Sequence, residues 1–144
     1  MQDGIRDYQR ARVYKWERQC IHSLCNDDPE MSLEDCRVYV REIWKHETYD
    51  RPRHVGANPP IVTDGRGRRS ACAHRYRIWL PRFARRKDML LHEIGHSLNN
   101  RIDDGHGPNF VRIIYGLYYR HLDKSPQAMQ RELAHFKIDM GYKI

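Results

Sequence analysis

At 144 residues, 40% hydrophobic and 10% aromatic, the chain is sized for one domain over 1–144 with a single modest core. Its net charge of +7 favours an anionic partner or surface without saying which one. No apolar run approaches a transmembrane span and residues 1–7 carry no apolar core of the signal-peptide kind, so the expectation is a cytoplasmic protein with no membrane partner.

A first helix is expected over 5–24, where Val13, Trp16, Cys20 and Leu24 recur at helical spacing. Asn26-Asp27-Asp28-Pro29 breaks it. Ser32 with Asp35 forms a weak capping box and opens a second helix to about Glu47, with Cys36, Val40, Ile43 and Trp44 as its apolar face. Pro52, Pro59 and Pro60 mark a loop. Two strands, 61–63 and 71–80, are joined by the Gly-rich turn Asp64-Gly65-Arg66-Gly67. In the second, Cys72, Tyr76, Ile78 and Leu80 alternate with Arg75, Arg77 and Trp79, and Pro81 ends it.

A third helix spans about 86–100, and a fourth runs from Pro108 through Tyr119, because proline is favoured at the first helical position. A fifth begins at Ser125 and Pro126, presents Met129, Leu133, Phe136 and Met140, and closes at Gly141. The order of elements predicts an α+β fold: helices packed on a small antiparallel sheet.

The third helix carries Leu-His-Glu-Ile-Gly-His-Ser-Leu at 91–98, an HExxH motif. His92 and His96 are four apart and share one helix face, so both imidazoles can grip one metal ion. Glu93 sits about 100° round the helix, where its longer arm reaches towards a water on that metal. Leu91, Ile94, Gly95 and Leu98 form the stripe that packs on a core, and the histidines lie beside it. A catalytic zinc takes three protein ligands and keeps one position open. His106, between Gly105 and Gly107 at the entrance of the fourth helix, is the candidate third ligand, since flanking glycines let the backbone turn the imidazole inward. Asp103 and Asp104 are reserve oxygen ligands or orienters of a ligand imidazole. The metzincin spacing is excluded, because Asn99 and Ile102 stand where that pattern needs glycine and histidine.

These residues, followed by Asp-Gly-His-Gly-Pro-Asn-Phe at 104–110, resemble the SprT-like or Spartan-type zincin metalloproteases, whose pattern is HExxH, a variable loop, then HGP-x-F. The chain is still more similar to small HExxH metallohydrolases of actinobacteria and their phages. Those share the short loop, a Gln-Arg-x-x-Val-Tyr-x-x-Glu opening (here 9–17) and an Ile-x-Leu-Pro strand (here 78–81). The resemblance covers roughly residues 8–120 and implies a zincin-like fold. It also implies one catalytic Zn2+ on His92, His96 and His106, and Glu93 as general base. The loop between His96 and His106 is shorter than in Spartan-type enzymes and the sequence carries no Cys-rich zinc ribbon, so the substrate and any DNA dependence stay open.

The function expected is that of a zinc-dependent metallopeptidase acting on a protein or peptide through a metal-activated water. The alternatives are a non-peptidase zinc hydrolase, an inactive or regulatory zincin scaffold that binds nucleic acid, and a peptidase that cleaves a phage repressor. Glu93 speaks against the inactive scaffold, and the pattern of the repressor-cleaving peptidases is not met beyond the HExxH motif. Arg112, Tyr115 and Tyr119 are candidates to stabilise an oxyanion, each more readily explained as part of an amphipathic helix. The strand before the third helix is a candidate for binding a peptide by strand addition.

Arginines crowd the Gly-rich turn (Arg66, Arg68, Arg69), one strand face (Arg75, Arg77) and the start of the third helix (Arg82, Arg85, Arg86, with Lys87). They are either a rim for a phosphate backbone or the solvated surface of a basic protein. Cationic residues at a helix N-terminus oppose its dipole. Cys20, Cys25, Cys36 and Cys72 make no CxxC pair and are expected as thiols. A second metal cluster of Cys20, His22, Cys25 and Cys36 is disfavoured, because positions 20 and 25 point apart on a helix.

Overall fold

The computed structural model describes residues 7–49, 58–101 and 104–141. The expected helix start at 5 and 6, and Pro52, Ile102 and Asp103, lie outside them. The chain is α+β, with five α-helices and a three-stranded mixed sheet among the described residues. It divides into two compact units, Met1–Asn26 with Arg101–Ile144, and Asp27–Asn100.

The first unit is helical. Helix α1 (Arg10–Trp16) continues as a π turn (Glu17–Ile21) and a 3-10 turn (His22–Cys25), where a uniform helix is expected from the sequence. The π turn closes through a bond from His22 N to Glu17 O, one residue longer than the α pattern. That extra residue moves the buried face on by one position. Ile21 and Cys25 are buried where Cys20 and Leu24 were expected, and Leu24 faces solvent.

Helix α4 (Pro108–Leu122) supplies Phe110, Val111, Ile114, Leu117 and Tyr118 to the core. The Trp16 and Tyr118 rings meet edge to face at 5.8 Å. Tyr118 Oη donates to Glu17 at 2.6 Å, and Trp16 Nε1 donates to Glu132, so the buried polar atoms of these rings are satisfied. Helix α5 (Pro126–His135) is capped by Ser125 Oγ, which accepts from Ala128 N. It ends six residues before Gly141. Lys137 adopts a left-handed φ of 58° and Ile138 N bonds back to Leu133 O, so Ile138, not Phe136, takes the next core position.

The second unit builds a sheet between two helices. Ser32 Oγ accepts from Asp35 N and opens α2 (Leu33–Thr48), which packs on β1 (Ile61–Asp64). The expected long strand 71–80 is instead a tight hairpin of β2 (Cys72–Ala73) and β3 (Arg77–Leu80), closed by His74 N to Arg77 O.

The sheet order is β1-β3-β2. Strand β1 runs parallel to β3, with Val62 opposite Ile78, and β2 runs antiparallel to β3, with Ala73 opposite Ile78. The sheet is therefore mixed and not antiparallel, because the Gly-rich turn carries the chain past the β3 position before it hairpins back between its neighbours. Strand β3 is then central, paired on both sides, and has no edge left for strand addition by a peptide. Within this unit the outer edges belong to β1 and β2.

Several of the arginines tie the unit together. Arg85 is buried, donates from Nε and Nη2 to Leu80 O, and meets Asp64 at 3.0 Å. Arg86 pairs with Asp88, a buried carboxylate in the first turn of α3 (Lys87–Leu98), which offsets the cationic residues at that N-terminus. Arg75 lies over the rings of Trp44 and Tyr76, at 4.7 and 4.8 Å, and burial lowers its pKa from the ordinary guanidinium value. None of the four cysteines forms a disulfide. No helix among the described residues is long and apolar enough to cross a membrane.

Candidate metal centre

Helix α3 is fixed by its apolar side. Leu90, Leu91, Ile94 and Leu98 are fully or almost fully buried, and Ser97 Oγ donates to His74 O at 2.6 Å, which pins the helix to the β2–β3 turn. That anchoring decides where the next residues round the helix stand. His92 and Glu93 are buried and His96 is half-buried. The His92 and His96 rings, one helical turn apart, have centroids 5.0 Å apart. The i, i+4 spacing thus gives two neighbouring imidazoles on a rigid support, and Glu93, next to His92 in the chain, is buried on the same helix.

His106 is held in the other unit by Asp7 and Gln9, neither of them expected at the site from the sequence. Asp7 Oδ1 accepts from His106 N at 3.0 Å, and Asp7 Oδ2 lies 2.6 Å from His106 Nδ1. Gln9, fully buried, donates from Nε2 to the His106 carbonyl and to Asp139 O, and accepts from Asp139 N. The imidazole itself is buried and lies edge-on against Tyr14 and Phe110, each at 5.0 Å.

Both flanking glycines are required by space. Gly105 has φ +57°, and a Cβ there would lie 2.8 Å from the Asp7 carboxyl; a Cβ on Gly107 would crowd Asp104.

Asp104 lies just ahead of α4. Its Oδ2 accepts from Phe110 N at 2.6 Å and so caps α4, and the carboxylate found against His106 Nδ1 is that of Asp7. Arg112 donates to Met140 O and Asn109 Oδ1, and Tyr115 donates to Pro126 O. Tyr119 is exposed. A carboxylate at position 7 left no trace in the sequence, since 99 residues separate it from its partner. Only its place just ahead of the Gln9–Glu17 segment is suggestive.

No protein-family model matches the chain, and no curated protein or solved structure matches it either.

Proposed function

We propose that residues 1–144 act as a zincin-like, zinc-dependent metallopeptidase of SprT-like character, with His92, His96 and His106 holding one Zn2+ and Glu93 as general base. The observation that carries the reading is the pair of imidazoles that meet edge to face on α3, on a helix that also buries Glu93. The donor set fits a divalent ion of the zinc kind. All three ligands are imidazoles, and the third has its Nδ1 side occupied by a carboxylate, the arrangement that orients a metal-binding histidine.

Zinc, when bound, would lower the pKa of a water towards about 7 and polarise the scissile carbonyl. Glu93 would take a proton at its carboxylate and pass it to the leaving amine. The fixed apolar side of α3 holds Glu93 on the same helix as His92 and His96. Strand β2, at the sheet edge and packed against α3, is the strand that an extended peptide would join. A cytoplasmic setting belongs to the same reading.

Elemental analysis of protein purified without added metal tests the assignment, beside the variant His106→Ala. About one zinc per chain, lost in the variant, is the expected result. Zinc retained in the variant would remove His106 from the ligand set, and no metal in either protein after reconstitution would remove the site. A panel of peptide, ester and small-amide substrates then separates a peptidase from another zinc hydrolase.

A second reading, nucleic acid as a partner, rests on the exposed Arg66, Arg68 and Arg69, with Arg68 stacked over Trp79 at 4.7 Å. Binding to single- or double-stranded DNA across a salt series checks it, and no binding at low salt would end it.

A further inference from the structure

Asp7 sits in the segment before α1, and its carboxylate grips one residue at two points, the backbone N–H and the ring Nδ1 of His106. Three features show a built arrangement. The ring contact is short, at 2.6 Å. Gly105 takes a left-handed φ and leaves no room for a side chain against that carboxyl. Gln9, two residues on, clamps the His106 carbonyl from a fully buried position. A loop histidine that served only to fill space would be buried by its Tyr14 and Phe110 neighbours alone. Here the same segment also holds its backbone and one nitrogen of its ring.

An ionised carboxylate only accepts hydrogen bonds, so Nδ1 facing it must be the protonated nitrogen. Nε2 is then the nitrogen with a lone pair. We infer that Asp7 is a positioning residue which sets the tautomer and orientation of His106 so that Nε2 is its metal-binding atom. This rests on the metal-site reading above and adds to it a part of the site supplied by the N-terminal segment. A carboxylate behind a ligand imidazole also raises the basicity of the ligating nitrogen, and its loss typically costs about 10–100-fold in metal affinity.

The test has two readouts. Nitrogen-15 NMR of the imidazoles in the metal-free protein reports the His106 tautomer, and competition against a chromogenic chelator reports Zn2+ affinity. Both are applied to the native chain, Asp7→Asn and Asp7→Ala. The native His106 is expected protonated at Nδ1. In Asp7→Asn, which keeps the size of the side chain, the tautomer should mix and zinc should bind about 10–100-fold more weakly. A native His106 protonated at Nε2 would overturn the inference without need of any variant. So would an Asp7→Asn protein with unchanged tautomer and zinc affinity. Failure of the native chain to take up zinc is a different result. It would overturn the metal-site reading, and the tautomer in Asp7→Asn would still decide whether Asp7 sets the ring.

Discussion

Asp7 and His106, 99 residues apart, share two hydrogen bonds, of 3.0 Å to the backbone N and 2.6 Å to the ring. The pairing depends on the residue before the histidine having no side chain. Gly105→Ala would meet two obstacles at once, a left-handed φ and a carboxyl 2.8 Å from the new methyl. We expect a loss of about 1–3 kcal/mol in stability, the scale of a strained backbone position. Zinc affinity should fall alongside it. Urea unfolding of the metal-free protein and chelator competition measure the two effects separately. An Ala variant as stable as the native chain would show that the loop can move away from Asp7.

Glu93→Gln keeps the size of the side chain on α3 and removes the proposed base. The variant should retain one zinc per chain and lose hydrolysis by about 100- to 10,000-fold, the usual contribution of a positioned general base. Metal analysis and turnover on a substrate cleaved by the native protein provide the check. Full turnover would sink the assignment of Glu93, and loss of metal as well would make its role structural.

The parts of the molecule that were legible in the sequence are those written in local pattern. Ser32 and Ser125 cap helices as their spacing indicates, Pro108 starts α4, and the His92–His96 spacing gives adjacent rings. The parts that were not legible depend on partners distant in sequence or on one-residue shifts. The π turn at Glu17–Ile21 moves the buried face from Cys20 to Ile21, and no residue type announces such a turn. The sheet is mixed because β3 enters between its neighbours, a choice of topology that alternation along 71–80 cannot express. The Asp7–His106 pair was hidden for the same reason, as a contact between two loops. The helix N-terminus that looked electrostatically unfavourable carries Asp88 in its first turn, buried and paired with Arg86.

The arginines divide into two groups with different expected phenotypes. Arg85→Met would remove a buried guanidinium with its bonds to Leu80 O and to Asp64, at 3.2 and 3.0 Å, while Leu80 O keeps Gly65 N and Asp64 keeps Arg66 N. Such a change typically costs about 1–3 kcal/mol, and we expect it in denaturant unfolding with no effect on any nucleic-acid binding. Replacing the exposed Arg66, Arg68 and Arg69 with glutamine should do the reverse, within about 0.5 kcal/mol of native stability. The same triple variant should flatten the salt dependence of nucleic-acid binding. Equal effects of the two changes on binding would contradict the division.

Cys36 offers a prediction in which the sign of a pH effect can be worked out. It is fully buried on α2, and burial pushes its thiol pKa from 9.0 up to about 11, with Arg85 opposing the rise. The unfolded chain therefore releases this proton near 9.0 while the folded chain holds it to about 11. Between those values the unfolded state binds fewer protons, so stability falls as pH rises. The contribution is whole below pH 9.0, lost by about 11, and worth at most ~3 kcal/mol. Tyrosines and lysines titrate in the same window, so the measurement is a difference. Native and Cys36→Ala stabilities, compared from pH 8 to pH 11 by urea unfolding, should converge as pH rises. A gap that stays constant would mean that Cys36 acts through packing alone. Alkylation gives an independent check: at pH 8 the exposed Cys72 should react readily and Cys36 only on unfolding.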